Sequence, residues 1–439
     1  MIIRATFRNI YSFNEETSIS FVAGKGTTKP EHVYRAEGRD DISILKAGVV
    51  YGANASGKSN MVKAIYLIRE ILKTGLLPQY YNPFKLADNY GKPTKLELEF
   101  KFDSKYYAYG IEYDSQRICE EWLYEINKRT DKLIFNRVFR LNKYEYQFSQ
   151  SIEKNESYPF LQFVAEGTPS NSCFLMEYVK RNGRGADEIF PVVYWFEKLT
   201  VAFPDTQIKG LSFQLQNVEF NKKFNEYLSY FNTGIKEVKL LPIGFDNLNL
   251  SGNVINNIRY NLQINKGTFV GESAVDSYYF EKTENGIQAY RLKTIHKTAD
   301  DKEVAFEVGE ESDGSIRLFD IIPMLISIAE YNIVFLIDEL DRSMHTMLTK
   351  EIFRIYSKLL QKKNIQSQFI CTTHESNLLS LESLREDEIW FAEKDETGST
   401  HFTSLCEFEH RDNNKQKGYL NGRYGAIPFY GDINNIIND

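Results

Sequence analysis

Three continuous apolar runs stand out along the chain, and each has the character of a buried strand. The run ILKAGVVYG, residues 44–52, comes first, and NIVFLIDEL, residues 332–340, and QFICTTHES, residues 368–376, follow much later. A helix is predicted after the first run, because apolar residues recur at near-helical spacing over residues 60–75. The pattern predicts an α/β fold that contains a strand–turn–helix unit.

Residues 95–149 have a different pattern, in which short strand-like stretches alternate with polar turns such as DSK and KRTD. An antiparallel β-meander is the simplest interpretation. From about residue 150 the segments become longer and mixed, although strand-like stretches return at 238–243 and 278–308. We therefore expect three domains: an amino-terminal lobe over 1–150, a mainly helical insertion over 151–300 and a carboxyl-terminal lobe over 301–439.

The composition allows a well-buried core, since 42% of the 439 residues are hydrophobic and 14% are aromatic. The net charge of −7 and the lack of a dominant basic block argue weakly against a constitutive nucleic-acid coat, although a local basic patch would not appear in the total. Binding to nucleic acid is therefore possible, but the composition does not support it.

The lack of a signal-peptide pattern and the spacing of the cysteines both predict a cytoplasmic protein. The first residues, MIIRATFRNIYSF, lack the pattern of a signal peptide, and no apolar run reaches the roughly 18 residues of a membrane span. The four cysteines are widely spaced and form no CxxC pair. We expect a cytoplasmic protein with reduced core thiols and no membrane partner.

The strand–turn–helix unit carries the sequence GANASGKS, Gly52 to Ser59. It fits the phosphate-binding P-loop pattern G-x-x-x-x-G-K-[ST], in which backbone N–H groups and a helix N-terminus surround phosphates. Lys58 is expected to reach the β- and γ-phosphate oxygens of ATP, and Ser59 to hold Mg²⁺. A glycine-rich turn with a solvated lysine would explain neither flank. The other residues expected to contact the nucleotide here are Gly52, Asn54, Ser56, Gly57 and Asn60.

The second apolar run ends in two carboxylates, Asp338 and Glu339. Two adjacent acids at a strand end are usually a solvated turn, but a P-loop needs acids at such a place. Asp338 is expected to hold Mg²⁺, directly or through water, and Glu339 to polarise the attacking water as general base. The chain is therefore predicted to be an ATPase that uses ATP and Mg²⁺.

The third apolar run ends at His374. A lone histidine after a strand is usually structural, but this one follows an Asp-Glu strand and one helix, which fits a sensor of the γ-phosphate and the lytic water. The other five histidines form no metal-ligand cluster in the sequence. For His345 a dimer interface and a surface role are equally good interpretations.

The order of these motifs, with ESDGS ahead of LIDE and LD, resembles the ABC-type ATPases of the SMC, RecF and OLD group. The resemblance implies an ABC-type head fold and a head-to-tail dimer that ATP closes. In that dimer Ser312 and Gly314, with Ser315, would form a signature loop on the nucleotide of the other copy, and Asp341 in the D-loop would couple the two sites.

A helix expected to begin at Ile316 would by itself make the loop an anion site, through its first N–H groups and a serine hydroxyl. The acidic Glu310, Glu311 and Asp313 depart from the usual LSGGQ wording of the group and should weaken phosphate affinity. The alternative is a solvated turn.

The amino end NIYSF, residues 9–13, resembles the NFxSF start of the same group. Tyr11 and Arg8 are candidates for base or phosphate contact, and edge-strand packing is an equal alternative. Gln79 is the only nearby candidate for the glutamine that should follow the P-loop helix, and it is a weak one.

A narrower resemblance covers nearly the whole chain. YGANASGKSN, EESDGSIRLFDIIPML, LIDELDRSMH, TTHESNLL and the tail GYLNGRYGAIP look like the short ATPases of bacterial anti-phage systems, such as the AriA component of PARIS and the AbiL and RloA-type ATPases. The resemblance implies a self-assembling sensor and scaffold that holds a separately encoded nuclease toxin until a phage product triggers its release. No mechanism follows for the tail, where Arg423 has partner contact and terminal packing as alternatives.

Two other functions stay open. A RecF-like repair ATPase would clamp duplex DNA on ATP-driven dimerisation, and it needs a basic surface for which NKKFNEY, KRNGR and LQKKN are short candidates. A nucleotide-locked scaffold would hydrolyse ATP so slowly that ATP is structural, and Glu339 argues against it. No second catalytic site is recognised in the chain, so any nuclease is expected to be a separate protein.

Overall fold

The computed structural model describes residues 1–184, 186–205, 210–245, 248, 250–265, 267–271, 277–284, 286–362, 365–380, 382–408 and 415–427. The chain divides into two compact units. The first unit comprises Met1–Val201, Asn332–Leu340 and Phe353–Asp439, and the second comprises Ala202–Tyr331 and Asp341–Ile352. These divisions differ from the expected boundaries at 150 and 300.

The strands are β1 (Ile2–Arg8), β2 (Thr17–Ser20), β3 (Val33–Ala36), β4 (Arg39–Leu45), β5 (Ala47–Tyr51), β6 (Thr94–Phe102), β7 (Lys105–Tyr113), β8 (Ile118–Glu125), β9 (Lys132–Arg140), β10 (Lys143–Phe148), β11 (Leu199–Ala202), β12 (Glu237–Ile243), β13 (Gly267–Gly271), β14 (Ser277–Thr283), β15 (Gly286–Lys297), β16 (Glu303–Glu307), β17 (Val334–Ile337), β18 (Gln368–Thr372), β19 (Ile389–Lys394) and β20 (Thr400–Ser404). The helices are α1 (Lys58–Thr74), α2 (Gln150–Glu153), α3 (Tyr158–Glu166), α4 (Phe174–Lys180), α5 (Ile189–Lys198), α6 (Leu211–Gln214), α7 (Val218–Tyr230), α8 (Gly252–Ile264), α9 (Asp313–Glu330), α10 (Thr346–Leu360) and α11 (Lys415–Leu420).

A six-stranded sheet forms the centre of the first unit, in the order β11-β17-β18-β5-β19-β20. The three apolar runs of the sequence are its neighbours β5, β17 and β18, whose residues are buried throughout. Strands β17, β18, β5 and β19 are parallel, and β20 runs antiparallel to β19. The carboxyl ends of the parallel strands therefore meet at one edge of the sheet.

A second, seven-stranded sheet of the first unit has the order β10-β9-β8-β7-β6-β1-β2. Strands β6 to β10 pair antiparallel with their neighbours in sequence, so the β-meander predicted for residues 95–149 is confirmed. Strand β6 alternates buried and half-buried residues over most of its length, because one face of the sheet packs on the core. At the edge of this packing Trp195 of α5 stacks on Phe100, with the ring centroids 4.0 Å apart.

A buried ion pair joins the meander to the helices that follow it. Glu121 and Arg137 lie 3.6 Å apart and are fully buried. Glu121 accepts the N–H groups of Phe174 and Leu175, the first two residues of α4, and a buried charge of this kind needs such partners. Burial raises the pKa of Glu121, although Arg137 acts in the opposite direction.

The second unit combines helices α6 to α9 with an antiparallel sheet in the order β12-β15-β14-β13, in which β16 also pairs with β15. The segment 151–300 is thus helical mainly in its first half and carries strands β12 to β15 in its second. Helix α9 packs on α7, where Phe319 stacks on Phe224 with the centroids 5.6 Å apart. No helix in the described part of the chain has the length and apolar character of a membrane span.

Candidate functional site

The side chain of Lys58, the first residue of α1, folds back onto the loop between β5 and α1. The Lys58 ammonium donates to the carbonyl oxygens of Gly52 at 2.7 Å and Ala53 at 3.0 Å. Gly57 has φ +106°, and a Cβ there would collide with the Thr400 hydroxyl, so only glycine fits. Since α1 begins at Lys58, its first N–H groups lie at the end of the loop, which is the arrangement that binds phosphates.

Hydroxyl groups from two distant segments brace this loop. The Thr400 hydroxyl of β20 lies 2.8 Å from both Ser12 Oγ and the Ser56 carbonyl oxygen. The Asn60 side chain donates to the same Ser12 Oγ at 2.9 Å. The stretch NIYSF therefore supports the P-loop through Ser12. The sequence signalled this stretch, but it gave no signal for Thr400.

The sheet brings Ser59 of α1 and Asp338, just after β17, together. Ser59 Oγ donates to Asp338 Oδ1 at 3.1 Å, and Asp338 is buried. Adjacent oxygen ligands of an octahedral Mg²⁺ lie about 2.9 Å apart, so this pair fits one Mg²⁺. The described residues contain no group of three or more His, Cys, Asp and Glu side chains that could hold a metal. Magnesium is usually bound by one or two protein ligands together with water and phosphate oxygens, which agrees with a pair of this size.

Thr372, the last residue of β18, contacts both residues of the acidic pair. Its hydroxyl donates to Asp338 Oδ1 at 2.6 Å and accepts the N–H of Glu339 at 2.8 Å. Its carbonyl accepts the N–H of Leu340 at 3.0 Å. Glu339 has φ +48° and is half-buried. Sequence reasoning missed Thr372, because nothing local in a buried strand shows that a hydroxyl faces the neighbouring strand's end.

His374 follows β18 and is exposed at the same edge of the sheet. The turn after it is tied to the carboxyl-terminal tail, because the Gln416 amide of α11 donates to Asn377 Oδ1 at 2.7 Å and lies 3.3 Å from Ser376 Oγ. Asn377 in turn donates to Glu375 Oε1 at 2.7 Å. The tail therefore contacts the turn that carries the expected γ-phosphate sensor.

The same tail also packs beneath the P-loop strand. The ring of Tyr419 lies 5.8 Å from that of Tyr51, the last residue of β5, and stacks on Phe391 at 5.7 Å. Tyr424 stacks on Phe391 from a centroid distance of 5.5 Å. Arg423, between these aromatic residues, is exposed. Tyr419 and Tyr424 of the tail thus pack on β5 and β19, and the choice between partner contact and packing for Arg423 stays open.

The expected signature loop lies in the second unit and begins a helix. Ser312 is the N-cap of α9, since its Oγ accepts the N–H of Ser315 at 3.2 Å, and it also lies 3.0 Å from Ser315 Oγ. The helix begins at Asp313, so the expectation of a start at Ile316 was wrong. A serine followed by an acidic first turn is a strong N-terminal signal, which outweighs the low helix propensity of Gly314.

The acidic residues before this cap have partners of their own. Glu311 accepts hydrogen bonds from the Thr294 hydroxyl and from His296 Nε2, the latter at 2.6 Å. Glu310 accepts the N–H of Glu307 at 2.7 Å. These carboxylates are therefore held by β15 and by the turn after β16.

Gly314 lies against the loop that contains Asp341. A Cβ at Gly314 would come within 2.9 Å of the Ser343 carbonyl oxygen, so a close approach of backbone explains the glycine. In this loop Arg342 pairs with Asp205 at 2.7 Å. His345 is exposed and accepts the N–H of Met347 at 3.2 Å through Nδ1. Packing is therefore an observed reason for Gly314, and its contact with nucleotide stays a prediction.

The remaining amino-terminal candidates are engaged elsewhere in the first unit. Arg8 pairs with Glu112 of β7 at 2.7 Å. The N–H of Tyr11 donates to the Asn82 carbonyl at 2.9 Å, and burial raises the pKa of the Tyr11 phenol. Gln79 is exposed, and its carbonyl accepts the Asn82 side chain at 2.6 Å. Arg8 lies in β1, which has β6 on one side and β2 on the other and is therefore not an edge strand, and base or phosphate contact by Arg8 and Tyr11 stays a prediction.

A P-loop sequence between a buried strand and a helix, with an acidic pair after a parallel strand of the same sheet, is the arrangement of a P-loop NTPase fold, and the expected α/β fold class is confirmed. The chain belongs to the family described as "AAA domain, putative AbiEii toxin, Type IV TA system", whose profile matches residues 49–172 and 177–380. No curated protein matches the chain.

Two solved structures of SMC heads are similar to the chain over most of its length. One is the crystal structure of the SmcHead bound to the C-winged helix domain of ScpA, at 13% identity and a TM-score of 0.42, covering 92% of this chain and 97% of that chain. The other is the SMC head domain from Thermotoga maritima, at 11% identity and a TM-score of 0.36, covering 92% of this chain and 98% of that chain.

Proposed function

We propose that the chain binds and hydrolyses ATP as a molecular switch of the ABC type. The observation that carries the proposal is the convergence of Ser59, Asp338 and Glu339 at one sheet edge, beside a lysine and a helix N-terminus. Ser59 and Asp338 would hold Mg²⁺, which would neutralise phosphate charge when bound. Lys58 exchanges its carbonyl partners for the β- and γ-phosphate oxygens.

Hydrolysis needs a base and an orienting group. Glu339 accepts the proton of the attacking water, and His374 contacts the γ-phosphate and that water from the neighbouring strand end. Asn54, Ser56, Gly57 and the N–H groups of the first turn of α1 surround the phosphates. The residues of the signature loop, Ser312 and Gly314, with Asp341, complete the site from a second copy of the chain in a head-to-tail dimer.

ATP turnover by the purified protein, with Lys58→Ala and Glu339→Gln as variants, tests this mechanism. Lys58→Ala should abolish nucleotide binding, because it removes the cation that meets the phosphates. Glu339→Gln should bind ATP normally and hydrolyse it about 10²-fold more slowly or worse. A Glu339→Gln protein that no longer binds ATP would overturn this division of roles.

The biological role that we propose is a sensor and scaffold in bacterial anti-phage defence, which controls a separate effector nuclease or toxin until a phage protein triggers release. Two findings support it: the family's description names a toxin of a type IV toxin–antitoxin system, and the motifs resemble those of short defence ATPases. Plaque counts on cells that carry the chain with its neighbouring genes should rise when Lys58 becomes alanine. Equal counts would refute the defence role.

The alternative of a DNA-clamping repair ATPase has weaker support. Lys222 and Lys223 of NKKFNEY lie within 4.0 Å of Glu226 and Glu219 on the same helix. In KRNGR, Lys180 and Arg181 are both within 3.8 Å of Glu177. These pairs lower the local positive potential that duplex binding needs. Duplex binding that falls steeply with salt would favour the alternative.

A further inference from the structure

We propose that Thr372 is a positioning residue that sets both carboxylates of the acidic pair, the metal-binding Asp338 and the general base Glu339. This inference rests on the proposed ATPase function and adds a residue that acts through two others.

The hydroxyl of Thr372 has a single consistent arrangement. A threonine hydroxyl has one proton to donate and two lone pairs to accept with. The carboxylate oxygen of Asp338 can only accept, and the Glu339 N–H can only donate, so the proton lies on the 2.6 Å bond to Asp338 and a lone pair on the 2.8 Å bond from Glu339. The buried Thr372 hydroxyl is therefore hydrogen-bonded to two consecutive residues, Asp338 and Glu339.

The same residue also holds the backbone where β17 ends. Its carbonyl accepts the N–H of Leu340, so two successive N–H groups, those of Glu339 and Leu340, both end on Thr372. Glu339 has φ +48°, in the left-handed region that residues other than glycine rarely adopt. Without the hydroxyl the turn would lose one of its two anchors, and the Glu339 side chain would move with the relaxing backbone.

The surrounding strand makes a hydroxyl at this position informative. Phe369, Ile370 and Cys371 precede Thr372 in β18, and all are fully buried. Valine has nearly the shape of threonine and would suit such a strand, whereas a buried hydroxyl is costly unless it is hydrogen-bonded. The chain thus carries a polar group where packing alone would favour an apolar one.

The bonds of Thr372 also orient the carboxylate plane of Asp338. Both side-chain hydrogen bonds that the described residues donate to Asp338, from Ser59 and Thr372, end on Oδ1. Removing the shorter one would free the carboxylate to rotate. We therefore expect two separable effects of losing the hydroxyl: weaker activation by Mg²⁺ through Asp338, and slower turnover through Glu339.

The test compares Thr372→Val, Thr372→Ser and Thr349→Val in ATP turnover, with kcat, the KM for ATP and the Mg²⁺ concentration for half-maximal rate measured for each. Thr349 is the control, because it is also fully buried but its hydroxyl has no hydrogen-bond partner among the described residues. Thr372→Val should lower kcat roughly 10- to 100-fold and raise the Mg²⁺ requirement, while the KM changes less than about threefold. Thr372→Ser and Thr349→Val should stay within about threefold of the parent.

A double-mutant cycle distinguishes a positioning role of Thr372 from a general loss of native structure. In a Glu339→Gln background, where the base is absent, Thr372→Val should lower kcat at saturating Mg²⁺ by less than about threefold, because the effect through Asp338 then appears only in the Mg²⁺ requirement and residues that act as a unit are not additive. A full additive loss, or a Thr372→Val enzyme as fast as the parent, overturns the inference. If Thr372→Val does not fold, Thr372→Ala takes its place under the same criteria. A parent protein without Lys58-dependent turnover would instead refute the ATPase proposal itself.

Discussion

The P-loop side of the proposed ATP site and the expected signature loop, residues 310–315, differ in the hydrogen bonds that their polar groups make. Around the P-loop, Ser59 and Thr372 both donate to Asp338, at the place where we propose that a metal binds. In the signature loop, Ser312 caps its own helix. The polar groups of the first region meet at one carboxylate, as the proposed metal site requires, whereas the serine of the second bonds within its own helix. A capped serine nevertheless keeps its proton when its lone pair accepts the N–H, so it can still donate to a phosphate.

The largest expected effect comes from blocking the signature loop in the dimer. Ser312→Arg in a Glu339→Gln background should bind ATP but fail to assemble on it, because a long side chain fills the contact with the other copy's nucleotide. Mass photometry with and without ATP and Mg²⁺ measures this. Asp300→Arg, at an exposed turn of the same unit, is the control and should assemble normally. Assembly of the Ser312→Arg protein would make the loop only a helix cap.

Substituting Ser312 by aspartate or alanine separates capping from phosphate contact. Aspartate caps as well as serine, so Ser312→Asp should melt at the parent's temperature but assemble poorly, since its charge repels the γ-phosphate. Ser312→Ala should instead lose about 1 kcal/mol of stability. Thermal melting and mass photometry of the two variants give the comparison, and equal behaviour of both would mean that charge at this position is irrelevant.

A smaller effect is expected at Gly314, where the structure offers a packing reason. Gly314→Ala places a Cβ 2.9 Å from the Ser343 carbonyl oxygen, so the backbone must shift at a cost of about 1–3 kcal/mol. Gly252→Ala is the matched control, because a Cβ at this first residue of α8 meets nothing within 4 Å. That variant should be slightly stabilised. Thermal melting of both variants measures these changes in stability. A Gly314→Ala protein as stable as the parent would favour a nucleotide role for the glycine.

The smallest effect is expected at the exposed ion pair between Arg342, next to Asp341 in the expected D-loop, and Asp205. Arg342 and Asp205 lie 2.7 Å apart, but Asp205 is 88% exposed, and such pairs contribute about 0–1 kcal/mol. Arg342→Ala should therefore leave the melting temperature almost unchanged. A clear loss of ATP-driven assembly without loss of stability would show that Arg342 acts in the dimer instead.

The sequence was most informative where function and local pattern coincide. The P-loop, Asp338, Glu339 and the three buried strands follow from short stretches whose chemistry and hydrophobicity agree. Thr372 and Thr400 could not be predicted, because their partners are distant in sequence and only the folded sheet, in which β18 pairs with β17 and β20 with β19, brings them close. The strand-like stretches at 238–243 and 278–308 were visible, but their sheet was hidden within a segment expected to be mainly helical.

The path of the chain has a consequence for engineering and for inheritance. Asn332–Leu340 belongs to the first unit, while the residues on both of its flanks belong to the second. Along the sequence, the segment that contains the acidic pair therefore lies between two segments of the other unit. Neither unit can be excised at a single junction, and a recombination event that exchanges one of them must cut the gene on both sides of this strand, so the two are expected to be inherited together.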